Sequence, residues 1–258
     1  MRQTLAVYKR EVALLFRSPI AYAVAFALLL FMGVLFSGGL SSILIYNQQA
    51  GQQGGQPATA TDLNQTTGVL VFLLFLVGPL LTMRLLAEES REGTIETLMT
   101  LPMSEAHFIV GKFLAVWTFY TVVVLLTVIY HIIGHQVGVP DDGIAFGQYV
   151  GAWLYGGAVL AVCMIWSAVT EDQIVAAFLS AATVLVLYLA ESAAGSLTNI
   201  PALAGLSDFV RELGLQAHYA STLASGVVRA EDIAYFLLVI VGALFITVRI
   251  VETRRWRG

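Results

Sequence analysis

The chain has 258 residues, of which 58% are hydrophobic and 12% charged, with a formal net charge of -4, and its mean hydropathy is +0.82. A soluble domain of this length could not hide so much apolar surface, so the composition points to an all-helical integral membrane protein. The acidic balance argues against a nucleic-acid partner, and the only cysteine, Cys163, offers neither a disulfide nor a thiolate metal site.

Leu5, Tyr8, Val12, Leu15 and Phe16 fall at helical spacing near the start, with Arg2, Lys9, Arg10 and Arg17 on other faces. Residues 1–19 therefore read as an amphipathic helix in the membrane interface. Tyr8 and Phe16 lie on its apolar side, and Arg10 and Arg17 lie near lipid phosphates. Pro19 marks the turn into the bilayer. No cleavable signal is expected, because the apolar run that begins near Ile20 is long enough to span and lacks a small-x-small cleavage site.

A helix needs about 20 mainly apolar residues to cross the hydrocarbon. Six runs qualify: Ile20–Phe36, Gly68–Leu86, Phe108–Ile133, Gln148–Val169, Ile174–Ala194 and Ile233–Val251. Each must be helical, since an unpaired backbone polar group in lipid costs several kcal/mol. The connections differ in kind. Residues 37–67 read as an exterior loop, flexible and Gln/Gly/Thr-rich over Asn47–Thr67. Gly134–Gly147 is a short exterior turn, Thr170–Gln173 (TEDQ) a tight turn on the other side, and 195–232 a longer exterior segment with short amphipathic pieces. Within the second run, Gly78-Pro79 predicts a kink, and Arg84 sits near the headgroups.

The most charged stretch, residues 87–104, lies between the second and third runs. Glu88 and Glu89 open a polar helix on which Ile95, Leu98 and Met99 share one face, while Glu92 and Glu96 face elsewhere. Leu101-Pro102 stops it, and Ser104 is placed to cap the third span. A short amphipathic helix held between two breaks suits docking into a groove of another protein.

Several polar residues in or near the spans are candidates for chemistry. His131 and His135 stand i,i+4 at the outer end of the third span, shortly before Asp141 and Asp142. Two imidazoles on one face could bind a transition metal, but interfacial histidines contacting water and headgroups are the expectation, so no metal site is assigned. His218 shows no evident partner. Glu191, a carboxylate well inside an apolar run, is the candidate for a cavity. The other span centres carry no charge, which speaks against a proton relay or an ion-selective channel. Trp117, Tyr120, Tyr149, Trp153, Tyr155 and Trp166 read mostly as anchors at the membrane interfaces.

The residues EESREGTIETLMTLPMSEAHFIVGKFLA resemble the signature between the second and third spans of ABC-2 type permease subunits of ABC exporters. Glu89, Gly93, Thr94, Glu96, Leu98, Thr100, Pro102, Ser104, Gly111 and Lys112 fit its pattern. YKREVALLFRSPIAYAV, VTEDQIVAA and HYASTLASGVVRAEDIAYFL resemble the branch that includes gliding-motility F subunits and the copper-enzyme maturation permease, while the first exterior loop is longer and more polar than that branch's pattern. The resemblance implies two permease subunits over two cytoplasmic ABC ATPase subunits, and ATP and Mg bound by those partners. This chain would bind no cofactor, as its lack of G-x-x-x-x-G-K-[ST] agrees. It further implies that Glu88, Glu89, Glu92, Gly93, Thr94, Ile95, Glu96, Leu98, Met99 and Pro102 form the coupling helix against the ATPase. A second reading is a membrane scaffold whose ATP-driven movement acts on an extracytoplasmic accessory protein. An intramembrane protease is disfavoured, because E-E-x-x-x-R from Glu88-Glu89 requires arginine where Gly93 stands.

Orientation follows from the basic residues. Arg2, Lys9, Arg10, Arg17, Arg84, Arg91, Lys112, Arg249, Arg254, Arg255 and Arg257 fall on one side of a six-span chain and only Arg211 and Arg229 on the other, so both termini are expected in the cytoplasm of a plasma or inner membrane. Topology reporters at Gly54 and Gly205 should accordingly report the outside, and reporters at Ser90 and Gly258 the inside. A cytoplasmic signal from Gly54 would invert the arrangement.

Overall fold

The computed structural model describes residues 2–53, 65–93, 104–137, 141–198 and 204–255, and among these every regular element is helical. In chain order the helices are α1 (Arg2–Leu15), α2 (Pro19–Gln53), α3 (Gln65–Thr82), α4 (Ala87–Arg91), α5 (Glu105–Val137), α6 (Asp142–Val169), α7 (Gln173–Leu197), α8 (Ala204–Leu213), α9 (Leu215–Ala220) and α10 (Ala230–Arg255), with a 3-10 turn at Leu223–Ser225. Six are long and apolar enough to cross a membrane: α2, the α3–α4 stretch, α5, α6, α7 and α10. They alternate in direction. One end of the bundle, the foot, carries α1, α4 and the α6–α7 turn, and the other, the head, carries α8 and α9.

The fourth span organises the rest. α6 is buried along most of its length and packs against α3, α5, α7 and α10. In lipid no hydrophobic gain draws helices together, so close approach through small residues and interhelical hydrogen bonds must do so. The α6 glycines supply that approach. A Cβ at Gly156 would stand 2.1 Å from the Tyr120 ring, one at Gly157 2.9 Å from the Trp117 indole, and one at Gly151 2.8 Å from Leu223. Hydrogen bonds fix the same contact: Tyr120 donates to the Ala152 carbonyl (2.8 Å), and the Trp153 indole donates to Thr121 (2.9 Å) while stacking on Trp117.

These contacts correct the reading of the aromatics as interfacial anchors. Tyr120 and Tyr155 are fully buried inside the bundle, and Trp117 and Trp153 form a stacked pair between α5 and α6. The ring faces fill the grooves that the glycines leave, a role that spacing along one helix does not reveal. Gly33 likewise receives Tyr130, whose hydroxyl donates to the Leu29 carbonyl.

One boundary also differs from expectation. Residues 37–53, expected in a loop, continue α2 as helix. Neither Gly38 nor Gly39 turns the chain, and Ser37, Ser41 and Ser42 fold their hydroxyls back onto carbonyls three or four residues earlier, as serines on a continuous helix do. The TEDQ turn is as tight as expected: the Asp172 carboxylate caps α7 through the amides of Ile174 and Val175.

At the head, His218 is not without a partner. Its Nδ1 lies 3.1 Å from Asp232 and its ring stacks on Tyr235, while Thr222 donates to the other Asp232 oxygen. The turn after the 3-10 segment passes directly over α6. Gly226 takes φ +81, and its Cα would lie 2.6 Å from any Cβ at Gly147. Overpacking a full contact costs typically 1–3 kcal/mol. Gly156→Ala is therefore expected to lower thermal stability of the purified chain by at least that much, whereas Gly195→Ala, inside α7 and facing open space, should hold or slightly raise the melting temperature.

Candidate functional site

At the foot, three segments far apart in sequence converge on one cation. α1 lies against the start of α5 because Gly111 has no side chain. A Cβ there would stand 2.9 Å from Val7 and 3.1 Å from the Thr4 carbonyl. The stripe that α1 turns toward α5 is Thr4, Val7, Tyr8 and Glu11, with the Tyr8 hydroxyl 3.1 Å from Thr118 and Phe16 edge-on to Phe119. Leu5, expected on the apolar side of this interfacial helix, is exposed to whatever surrounds the bundle.

The next residue, Lys112, is 2% exposed. Its ammonium sits 3.1 Å from the Glu11 carboxylate and 2.9 Å from that of Glu89, so a cation on α5 joins an acid on α1 to an acid on α4. Arg10 adds a second cation, 3.5 Å from Glu89 and 3.9 Å from Glu11. Arg10 was expected beside lipid phosphates and instead completes the ion cluster. Two charges of each sign meet here, and the Phe108 ring lies under the ammonium at 5.0 Å. Burial makes such a node expensive unless it is paired, and here the pairing is reciprocal.

α4 is also tied to the central span. α3 ends at Thr82, and the connection to α4 leaves the amides of Leu86 and Ala87 without helical acceptors. Ser167 of α6 accepts from both, at 3.1 and 3.2 Å, and donates to the Met83 carbonyl. Arg84 and Glu88 close the outside of the turn with two 2.8 Å hydrogen bonds, so Arg84 carries an ion-pair partner on its own helix turn. A cavity of about 440 Å³ opens beside this junction, lined among others by Arg10, Arg17, Arg84, Glu88, Glu92 and Lys112.

The continuous helix expected over Glu88–Leu101 is not what the described residues show. α4 stops at Arg91, Glu92 closes the turn, and Gly93 takes φ +68, the left-handed conformation that commonly ends a helix. The amides of Glu92 and Gly93 bond back to Glu88 and Ser90. The apparent amphipathic period thus crosses a glycine stop, which a pattern of apolar spacing cannot register. Thr94, Ile95, Glu96, Leu98, Met99 and Pro102 lie outside the described residues. After them, Ser104 stands just before α5, with its hydroxyl on the His107 ring.

Of the residues singled out from sequence, the structure gathers Arg10, Glu88, Glu89 and Glu92 around one junction, together with Tyr8 and Phe16 on the flank of α5. Glu191 lies elsewhere, half-buried near the head end of α7, where Gly214 backs onto Ala190 and Glu191. Glu11, Lys112 and Ser167 went unassigned. A signal for Glu11 existed: an acid at i+4 from Val7 and i+3 from Tyr8 interrupts an apolar stripe, and such a position usually implies a buried cation nearby.

Removing one partner of a buried ion pair costs roughly 3–5 kcal/mol, because the remaining charge stays buried. Lys112→Met is expected to destabilise the purified chain by about that amount. Arg10→Gln, whose side chain is 54% exposed, should cost under about 1 kcal/mol. Denaturation of both variants in detergent checks the order, and equal losses would remove Lys112 from the centre of the junction.

The family model described as ABC-2 family transporter protein matches residues 9–198, more than half of the chain. No curated protein matches it.

Proposed function

The chain belongs to the ABC-2 family of transporter proteins and is a membrane permease subunit of an ABC transporter, and we propose that the junction at its foot is where an ATPase drives the spans. The observation that supports this is the fastening of α4 to three other elements at once: to α5 through Glu89 and Lys112, to α1 through Glu89 and Arg10, and to α6 through Ser167. Residues 94–103 run between α4 and α5, so a force on them reaches both ends of the same buried ion pair. Displacing α4 then moves the interfacial helix and the central span together.

In this reading the transporter is an exporter with two permease subunits over two cytoplasmic ATPases, which hold ATP and Mg, and both termini of this chain lie in the cytoplasm of the plasma or inner membrane. The side assignment rests on the distribution of basic residues, and the placement near the gliding-motility and copper-enzyme maturation branch rests on its quoted segments. Thr94, Ile95, Glu96, Leu98, Met99 and Pro102 would touch the ATPase directly. Glu89 and Lys112 would relay its movement without touching it.

Those two roles separate experimentally. The intact complex, purified from native membranes with the ATPase that accompanies it, is reconstituted into liposomes. Glu89→Gln should leave the ATPase bound but reduce transport-coupled ATP hydrolysis by about tenfold, the loss of roughly 1.4 kcal/mol of coupling. Leu98→Glu should instead release the ATPase. Normal coupling in the Glu89→Gln complex would show that the junction is structural only.

A further inference from the structure

We propose that His131, His135 and Asp142 form a binding site for one divalent transition-metal ion at the head of the bundle. Sequence alone assigned no metal here; what changes the reading is the geometry across the α5–α6 connection. His131 and His135 are one turn apart on α5, and both direct Nε2 at the same atom, Oδ1 of Asp142, at 2.9 Å each. The three ligand atoms all lie within 4.8 Å of one another.

The neighbouring residues explain why that carboxylate is available. Asp141, not Asp142, caps α6: its Oδ1 accepts from the amides of Gly143 and Ile144. Asp142, the first helical residue, is left to face α5. Two imidazole nitrogens and one carboxylate oxygen are a ligand set that suits zinc, copper or nickel, and not magnesium or calcium, which prefer all-oxygen shells. Zinc–nitrogen and zinc–oxygen distances of about 2.0–2.2 Å place tetrahedral ligands about 3.4 Å apart, so the two 2.9 Å contacts need open by only about half an ångström to admit an ion.

Asp142 and His135 are exposed, which leaves room for water or a further ligand to complete the coordination. His131 is the most enclosed of the three, with 17% of its side chain accessible, and gives the site a fixed wall. An ion bound here would join the ends of α5 and α6, at the opposite end of the same two helices from Lys112 and Ser167. The site is independent of the coupling junction and of its proposed role.

The test uses the full chain without a histidine tag, purified in detergent, with Cu²⁺ as the probe because it binds such ligands most tightly among the common divalent ions. Electron paramagnetic resonance should show one bound Cu²⁺ per chain with coupling to two imidazole nitrogens. His135→Ala and Asp142→Ala should each weaken binding at least about tenfold, and a His107→Ala/His218→Ala double variant should bind as the parent does. Absence of two-nitrogen coupling in the parent chain, its loss in the His107/His218 double variant, or its survival in His131→Ala/His135→Ala would each overturn the assignment and leave the trio as a hydrogen-bonded clasp.

Discussion

In hydrocarbon, an apolar helix gains nothing by leaving lipid for another apolar helix, so this bundle depends on how closely α6 lets its neighbours approach. Gly156 and Gly157 admit Tyr120 and Trp117 of α5, Gly151 admits Leu223 and Tyr219, and Gly147 admits the backbone of the Gly226 turn. Near its far end the same helix carries Ser167, whose hydroxyl holds three backbone groups where α3 passes into α4. One span therefore supplies both the packing surface for the core and the anchor for the foot.

The foot follows a different logic, that of charge. A buried ammonium survives only with its counter-ions fixed, and Lys112 takes one from α1 and one from α4. The pairing defines the angle of the interfacial helix as much as any apolar contact does, because Gly111 brings Val7 so near that the helix has little freedom to roll. An ion-pair junction of this kind can exchange one set of partners for another, as interfaces that switch between two states do. That makes it a reasonable place for a two-state movement to begin.

Much of this was legible in the sequence, and the limits are instructive. Span number and type follow from hydrocarbon thickness, and the six candidate helices match the six apolar runs. The TEDQ turn was readable because Asp at a cap position carries its own mechanism. What could not be read were the events that depend on two helices at once. Gly111 and Lys112 were legible as positions of the ABC-2 signature, but not as respectively the seat of α1 and the hub of the ion cluster. Tyr120 and Tyr155 looked like interfacial anchors because aromatic residues near span ends usually are, and nothing local reveals a glycine groove opposite. The charged stretch was read as one helix because Ile95, Leu98 and Met99 keep the period begun at Glu88, while the left-handed Gly93 breaks the phase. His131 and His135 were visible with Asp141 and Asp142 close behind, but which aspartate caps α6 and which faces the histidines depends on the connection between the two helices.

The length of α2 has a mechanical consequence. At 1.5 Å per residue its 35 residues reach about 52 Å, against a hydrocarbon core of about 30 Å. Bilayers tilt helices by up to about 40°, and even that inclination accommodates only about 26 residues. At least about nine residues therefore project beyond the hydrocarbon at any allowed inclination, and those at the Asn47–Gln53 end are polar enough to stay there. The helix packs into the bundle through Leu28, Met32, Phe36 and Ile43 and carries its last turns beyond the hydrocarbon, like an oar pivoting at its foot. A ten-degree swing about the foot would sweep the tip through about 9 Å, turning a small rearrangement near Pro19 into a large displacement on the opposite face.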